Sequence, residues 1–473
     1  MPRLPPRIAC LLVPDLPLRA ELRAHPELAG APLVIASGRG AQAQVLTASP
    51  PARARGVQLW SGLAQARAIA PDVVVRVASP ALEAAARDSL LDAALSCAPR
   101  AELAPPGTGF FAAEGAVFVD ARGTGRLFDS EAGFASALAA RAETLGLPGA
   151  VGLTGHRALS LLVARRIAGG TVASQTGASE TGAIQVLETG HESAWLAPLP
   201  IDLLDPDDRV AQALTRFGVR SVRDLLRLPR RGLTKRLGRE VEELVRRARG
   251  EEADLPLPEP TQRLTSEGID LEGAVHQLEP MRFVLRGLIS RMTERLALRG
   301  LACDRLELEL SLEGGARDVR HVSSSAPSLD VRVWLRLTML ALEEHPPGGP
   351  VEAVRIGCEG RPLPRDQLDL FRPSGPDPAT LDRTLSELES ICGEGRVGSP
   401  VVADSHLPTD FGVRPFGPRP PGDARADARG ERAARLAVRA LRPPVGANVR
   451  VERGEPTHVR SALTHGRVVD CSG

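Results

Sequence analysis

The stretch CDRLELELSLEGG, residues 303–315, alternates leucine with charged or polar side chains from Leu306 to Leu312. A period of two predicts a strand with one buried face, and Gly314-Gly315 predicts the turn that ends it. The patterns on either side extend this strand into the order βαββαβ, a small sheet with its helices on one face. The other predicted elements are strands at 263–271, 318–324 and 350–357 and helices at 280–299 and 330–344.

The residues before this sheet divide into further modules. EEADLPLPEP, residues 251–260, is acidic and rich in proline, which predicts a linker. Upstream of it the pattern is helical, and RFGVRSVRDLLRLP, residues 216–229, places Gly218 in a tight turn between two helices, as in a helix-hairpin-helix. Residues 8–145 alternate strand and helix patterns and begin with the apolar run 8–13, which predicts an α/β or α+β module around a central sheet.

The composition excludes several kinds of site. The 473 residues contain a single lysine, Lys235, and no tyrosine. A phosphate loop needs a lysine within G-x-x-x-x-G-K-[ST], and Schiff-base catalysis needs one in a pocket, whereas Lys235 lies in the cationic run RRGLTKRLG. The six cysteines form no C-x-x-C pair and the histidines show no ligand spacing, so we expect no zinc site and no disulfide framework.

The apolar run 8–13 is too short to cross a membrane. We therefore expect a cytoplasmic protein without a membrane partner.

The net charge of +1 conceals an uneven distribution of charge. Residues 209–250 carry 13 Arg or Lys and 4 Asp or Glu, and residues 413–453 carry 10 Arg and 4 acidic residues. Basic segments on an otherwise acidic chain indicate a polyanionic partner for those segments. Solvated arginine-rich faces in an arginine-biased proteome remain the alternative.

Four strings, in this order, resemble stretches of the Y-family translesion DNA polymerases. They are RAHPELAGAPLVIA at 23–36, VLTASPPARARGVQLWSGLAQARAIAPDVVV at 45–75, LAPLPIDLL at 196–204 and RFGVRSVRDLLRLP at 216–229. The resemblance covers roughly residues 7–360. It implies an α+β multidomain fold with the palm, fingers, helix-hairpin-helix thumb and βαββαβ little finger of that family, followed by an extended, partly disordered C-terminal tail. The implied boundaries are 1–13 and 79–189 for the palm, 14–78 for the fingers, 190–250 for the thumb, 251–260 for the linker, 261–360 for the little finger and 361–473 for the tail.

The resemblance fails at the positions that carry the chemistry. Phosphoryl transfer in the family needs carboxylates that hold two Mg²⁺ ions. The family's first aspartate falls on Leu12, and its later acidic pair falls on Gly115 and Ala116. The arginine that contacts the triphosphate is retained as Arg53. We therefore expect a degenerate polymerase site with no catalytic residue, no metal and no cofactor.

An active but divergent polymerase is the alternative. Asp15, Glu114 and Asp120 lie near the degenerate positions in sequence and would then hold Mg²⁺. This hypothesis requires the three carboxylates to converge within metal-bridging distance.

A Y-family body without catalytic residues resembles the ImuB family, the polymerase-like subunits of bacterial mutasomes. The segment GEGRVGSPVVADSHLPTDFGVRPF, residues 393–416, is similar to the segment that follows the little finger in that family. The resemblance implies a role in induced mutagenesis within the SOS response and association with the nucleoid. The implied partners are damaged or primer-template DNA, an error-prone C-family DNA polymerase and a RecA-like accessory protein. Members of that family usually extend slightly beyond the CSG that ends this sequence, so we expect a chain shortened at its C-terminus.

The pentapeptide QLDLF, residues 367–371, matches the motif by which bacterial polymerases dock on the sliding clamp. Leu370 and Phe371 would enter an apolar pocket while Gln367 forms a hydrogen bond at its edge, with Leu368 and Asp369 between them. The alternatives are a terminal amphipathic turn packed on the little finger and a chance match in a protein without a nucleic-acid role.

The thumb is the principal candidate for contact with DNA. A helix-hairpin-helix offers backbone N–H groups and cations to phosphates without reading sequence. The candidate residues are Arg216, Gly218, Arg220, Arg230, Arg231, Lys235 and Arg236. Asp205-Pro206-Asp207-Asp208 occupies the family's glycine-rich first hairpin and would repel a phosphate. We expect weak, salt-sensitive DNA binding by the second hairpin, the little finger and the basic tail.

Overall fold

The structure is a computed structural model that describes a large part of the chain. The described residues are 6–40, 42–107, 110–111, 113–173, 184–249, 257–258, 264–362, 378–393, 395–402, 411–414 and 445–469. The chain forms two compact units, Met1–Ser386 and Glu387–Gly473.

The strands of the first unit, in chain order, are β1 Ile8–Leu12, β2 Leu33–Ala36, β3 Val45–Ala48, β4 Val74–Val77, β5 Ala101–Leu103, β6 Ala116–Asp120, β7 Ala150–Thr154, β8 Ile184–Val186, β9 Thr265–Val275, β10 Leu301–Leu312, β11 Arg317–Ser328, β12 Val351–Cys358 and β13 Arg361–Pro362. The strands of the second unit are β14 Ser399–Val402, β15 Phe411–Arg414, β16 Ala447–Glu452, β17 Glu455–Ser461 and β18 His465–Arg467.

The α-helices, in chain order, are α1 Leu16–Ala24, α2 Pro50–Ala54, α3 Leu63–Ile69, α4 Pro80–Cys97, α5 Glu131–Thr144, α6 Arg157–Ala173, α7 Glu192–Leu196, α8 Asp208–Arg216, α9 Val222–Arg227, α10 Arg230–Leu237, α11 Glu240–Arg249, α12 Leu278–Leu298, α13 Val331–Glu344 and α14 Pro378–Cys392. Among the residues that the structure describes, no helix is both long and apolar enough to cross a membrane.

A five-stranded sheet of order β5-β6-β1-β7-β8, which we name the palm sheet, contains the first predicted strand at its centre. β1 pairs antiparallel with both neighbours and all five of its residues are buried, as its unbroken apolar run predicts. Successive side chains of a strand point to opposite faces. Ala9 and Leu11 accordingly pack with residues of α4 and α5, whereas Cys10 and Leu12 share an apolar cluster with residues of α6.

In the chain, the fingers lie between β1 and β5 of this sheet, and the thumb follows β8. The fingers contain a three-stranded sheet of order β3-β2-β4, against which apolar residues of α2 and α3 pack. The thumb contains α7 to α11 around one apolar cluster. Gly218 has φ 75° in the turn between α8 and α9, and Ser221 and Asp224 form a capping box at the start of α9. Both features match the predicted turn between two helices.

The little finger confirms the predicted order βαββαβ. Its strands form an antiparallel sheet of order β11-β10-β12-β9, and β13 also pairs with β10. The alternating leucines 306, 308 and 310 of β10 are fully buried in one cluster with apolar residues of α12 and α13. The period of two in the sequence therefore predicted correctly which face of this sheet is buried.

A buried ionic network joins the little finger to the palm and to α1. Glu267 on β9 has a fully buried side chain and pairs with Arg23 of α1 at 2.8 Å and with Arg295 of α12 at 2.9 Å. Arg295 also contacts Asp92 of α4 at 2.7 Å, and Arg291 contacts Glu267 at 3.1 Å. Burial alone would raise the pKa of Glu267, but the guanidinium groups of Arg23, Arg295 and Arg291 lower it to about 2.

The tail contains more regular structure than its composition predicts. β14 pairs with β15, and β16, β17 and β18 form a three-stranded antiparallel sheet. Val449 and Val459 lie opposite each other in this sheet, whose residues are mostly exposed.

Candidate polymerase site and nucleic-acid interface

Leu12, the position on which the resemblance places the family's first catalytic aspartate, lies in an apolar environment. Leu12 ends β1, opposite Ala116 on one side and Ala150 on the other. Leu12 is 9% exposed and Ala116 is fully buried. Both belong to a cluster of apolar side chains that also includes Leu161 of α6 and Leu257 of the predicted linker. A carboxylate at either position would lose its hydration among these apolar side chains.

Gly115 has no room for a side chain. Its carbonyl oxygen accepts a hydrogen bond of 2.8 Å from the backbone N–H of Val13. A Cβ atom built on Gly115 would lie 2.2 Å from the carbonyl oxygen of Val13, a distance at which the backbone must move. An acidic residue at this position therefore conflicts with the approach of the chain segment that follows β1.

These three positions do not fit a pair of magnesium ions. Mg²⁺ binds oxygen ligands, mainly carboxylates, and neither leucine, glycine nor alanine offers a side-chain oxygen. Within the described parts of the chain, no group of three or more His, Cys, Asp or Glu side chains is arranged to hold a metal ion. The family's two-metal chemistry therefore has no counterpart at Leu12, Gly115 and Ala116.

The carboxylates of the alternative hypothesis do not converge. Asp120 lies opposite Ile8 at the start of β1, whereas Ala116 lies opposite Leu12 at its end. Ala116 and Asp120 are four residues apart on β6, which corresponds to roughly 13 Å along the strand. Asp15 and Glu114 adjoin the Leu12 end, so Asp120 is at the far end of the sheet from both.

The local contacts of Asp15 and Asp120 explain their presence without a metal. Asp15 precedes α1 with φ 53° and pairs with Arg53 at 2.5 Å. Arg53, predicted to contact a triphosphate, is thus engaged by a carboxylate of this chain. Burial raises the pKa of Asp120, but hydrogen bonds from Arg122 outweigh that effect and lower it.

A cluster of phenylalanines and arginines extends from the same face of the palm sheet toward the thumb. Phe118 of β6 lies 6.3 Å from Phe111, which lies 5.1 Å from Phe110. Arg157 stacks over Phe118 at 5.1 Å, and Arg247 of α11 stacks over Phe110 at 4.8 Å. No sequence pattern indicated this cluster, because residues 110 and 111 follow no strand or helix period. Stacking of this kind stabilises packing, and the contact of Arg247 with Phe110 holds α11 of the thumb against the segment that contains Phe110.

The buried thiol of Cys10 lies on this face as well. Burial raises the pKa of Cys10 to about 12, although Arg165 and Arg157 act in the opposite direction. A thiol with so high a pKa stays protonated at neutral pH and is unreactive.

The predicted DNA-binding residues of the thumb fall into two groups. Arg216 and Arg220 flank the left-handed Gly218 in the exposed turn between α8 and α9. The other group lies on α10, and its members are Arg230, Arg231, Lys235 and Arg236, all exposed. A groove of about 980 Å³ between α10 and α11 is lined by Arg231 and Lys235 on one side and by Glu240 and Glu243 on the other. The groove is therefore of mixed charge, and the exposed cations of α10 offer the more favourable surface for phosphate.

The aspartates that replace the family's first thumb hairpin have structural partners. Asp207 accepts a hydrogen bond of 3.0 Å from the backbone N–H of Arg209 at the start of α8. Asp205 has φ 53°, and its carbonyl oxygen accepts a hydrogen bond from Arg247. These residues thus shape and cap the first thumb hairpin, where anionic side chains disfavour a phosphate.

The outer face of the little-finger sheet is not uniformly cationic. On the outer face of β10, the exposed Arg305 is followed by the exposed Glu307 and the half-buried Glu309 at every second residue. Glu309 lies opposite Arg355 of β12, and Glu307 lies opposite His321 of β11. The opposite charges of Glu309 and Arg355 contribute to the pairing of β10 with β12, and the two glutamates leave less net positive charge for DNA than a basic sheet would offer.

The predicted clamp motif, residues Gln367, Leu368, Asp369, Leu370 and Phe371, lies outside the described residues. It follows β13 by a few residues in the chain.

Comparisons with known proteins agree with the resemblance seen in the sequence. Residues 16–165 match the impB/mucB/samB family. Over 379 residues the chain is 26% identical to Protein ImuB of Caulobacter vibrioides strain NA1000 / CB15N, an alignment that covers 79% of this chain and 77% of the relative. Protein ImuB of Caulobacter vibrioides strain ATCC 19089 gives the same values.

Two solved structures are also similar to this chain. A ternary complex of Dbh with partially disordered substrates has a TM-score of 0.42 at 16% identity and covers 76% of this chain and 100% of that one. DinB from Sulfolobus solfataricus has a TM-score of 0.43 at 16% identity, over 76% of this chain and 99% of that one.

Proposed function

We propose that this ImuB-like homologue, whose residues 16–165 form an impB/mucB/samB-type domain, is a non-catalytic scaffold in DNA damage tolerance. It retains the body of a Y-family translesion polymerase and uses it to hold DNA and partner proteins rather than to transfer nucleotides. The observation that carries this proposal is Gly115, which stands at a catalytic acidic position of the family and has no space for any side chain. The apolar surroundings of Leu12 and Ala116 support it.

The thumb supplies the DNA contact in this proposal. Arg231 and Lys235 are exposed and lie four residues apart on α10, so both side chains are on one face of the helix. Cations of this kind bind phosphates regardless of base sequence and release counterions, which makes the affinity depend on salt.

Substitution of both cations, R231Q/K235Q, is expected to weaken binding to primer-template DNA by about tenfold. The magnitude of the slope of log K against log salt should fall by about 2, because two phosphate contacts are lost. Fluorescence anisotropy over a range of salt concentrations measures both quantities. The control variant R67Q/R126Q removes two exposed arginines elsewhere in the first unit. An equal loss in the control would show that only the total charge matters.

Docking on the sliding clamp rests on the pentapeptide at 367–371. The motif has two apolar residues for a pocket and a glutamine for its edge, the arrangement that a short peptide uses to bind a groove. Its place shortly after the last strand of the little finger agrees with such a role.

The variant L370A/F371A is expected to reduce capture of the purified bacterial clamp by at least thirtyfold, because buried anchors of this type dominate peptide affinity. Surface plasmon resonance against immobilised clamp measures the change. Asp369→Ala alters the same peptide without removing an anchor and should keep most of the affinity. Undiminished binding of L370A/F371A would mean that the motif is accidental.

The remaining partners follow from the likeness to ImuB alone. We include recruitment of an error-prone C-family DNA polymerase and a RecA-like accessory protein in the proposal, with action at the nucleoid during the SOS response. Its support is the 26% identity over 79% of the chain.

A further inference from the structure

The three-stranded sheet of the second unit, β16 to β18, has two chemically different faces. In an antiparallel sheet, residues directly opposite each other place their side chains on the same face. Arg450 lies opposite His458, which lies opposite Arg467. A second row lies two residues further along each strand and therefore on the same face. In this row Asn448 lies opposite Arg460, and Arg460 lies opposite His465.

These two rows therefore share one face, which we name the cationic face. Its members are Asn448, Arg450, His458, Arg460, His465 and Arg467. The other face contains Ala447, Val449, Val459 and Ser461. The alternation along β16 and β17 thus places Arg450 and Arg460 on one face and Val449 and Val459 on the other.

The cationic face is exposed and contains no acidic residue in either row. All six side chains are classed among the exposed residues of the chain. Arg450 pairs with Glu452 at 3.4 Å, but both side chains are more than half exposed, so this pair is weak. Arg450 and Arg467 each lie diagonally from Arg460 on a neighbouring strand, so the three charges repel one another and an anion bound to the face would offset that repulsion.

We propose that the cationic face binds the phosphate backbone of duplex DNA. Neighbouring strands lie about 4.8 Å apart and alternate residues about 6.8 Å apart, so the two rows cover an area that can reach several phosphates of a duplex. The sequence from 445 to 469 contains no Phe, Trp or Tyr. Single-strand recognition depends on stacking of bases on such side chains, so the face favours the backbone of a duplex. This inference rests on the proposed function, because it assigns the second unit a DNA contact separate from that of the thumb.

The test compares variants of the full chain by anisotropy with a 30-base-pair duplex and with the matching single strand. R450Q/R460Q/R467Q is expected to weaken duplex binding by roughly tenfold to a hundredfold and to lower the magnitude of the salt slope by about 3. The matched control R67Q/R126Q/R396Q removes three exposed arginines that lie outside the face and outside the basic segment 413–453, and it should bind as the unsubstituted chain does. R450K/R460K/R467K keeps the charge and should restore most of the affinity, which separates loss of a contact from loss of folding.

Three outcomes would overturn the inference. They are an unchanged affinity in the glutamine variant, an equal loss in the control, and tighter binding of the single strand than of the duplex. The thumb variant R231Q/K235Q distinguishes this failure from that of the proposed function. If the thumb variant loses affinity while the face variant does not, only the inference about the second unit fails. If the unsubstituted chain binds no DNA, the DNA-binding part of the proposed function fails with it.

Discussion

Arg295→Ala is expected to lower the free energy of unfolding by about 3–5 kcal/mol, because it removes one partner from a buried ionic network. Arg295 is 2% exposed and contacts both Glu267 and Asp92. The substitution leaves those carboxylates in the interior with fewer cations, and it creates a cavity between the little finger and the palm. Urea unfolding followed by circular dichroism measures the loss.

Arg299→Ala is the matched control for this prediction. Arg299 contacts the same Asp92 at 3.2 Å, but its side chain is 23% exposed. Its removal should cost about 1 kcal/mol or less, as for partly solvated pairs. Similar losses for Arg295→Ala and Arg299→Ala would contradict the interpretation that burial makes this network important.

The same network predicts how stability depends on pH. The pKa of Glu267 is lowered from its ordinary value of 4.5 to about 2 in the folded protein. The stabilisation is therefore complete above pH 4.5 and is lost as the pH falls from 4.5 toward 2.

Gly115→Ala is expected to destabilise the protein by about 1–3 kcal/mol or more, because a Cβ atom there overlaps the carbonyl oxygen of Val13. Gly115→Asp should be at least as unfavourable. The control is Gly273→Ala on β9, where an added Cβ atom has nothing within 4 Å and the backbone has no positive φ. That substitution should change stability by less than about 0.5 kcal/mol. Thermal unfolding of the three variants measures the difference.

A neutral Gly115→Ala would contradict this account of the degenerate site. It would show that the segments after β1 and before β6 can separate enough to accept the family's acidic side chain. A large loss would support the interpretation that close approach of the two backbones excludes an acidic side chain at this position.

The sequence predicted those elements whose residues follow a regular period. The alternating leucines of β10 and the apolar run of β1 each identify a strand and its buried face without any long-range information. Gly218 likewise predicted the turn in the thumb, since its left-handed φ favours glycine.

Features that depend on distant contacts were not predictable in this way. Arg23 and Glu267 are 244 residues apart in sequence, and they meet only because α1 and β9 both pack against α4. The clash at Gly115 depends on the path of the chain at Val13 and likewise leaves no local pattern.

The small sheet of the tail had a signal that composition concealed. Residues 448–452 read NVRVE, with valine at alternate positions, and residues 457–461 read THVRS, with Val459 between His458 and Arg460. The proline- and arginine-rich average of residues 361–473 outweighed this period-two pattern, which also separates the two faces of the sheet.

Primer extension tests the central claim most directly. The purified chain is incubated with primer-template DNA and all four deoxynucleoside triphosphates, in Mg²⁺ and separately in Mn²⁺. We expect no template-dependent extension in either metal, because Leu12, Gly115 and Ala116 provide no ligand for the ions that phosphoryl transfer requires. Template-dependent extension that Asp15→Ala, Glu114→Ala or Asp120→Ala abolishes would contradict the account and establish an active, divergent polymerase.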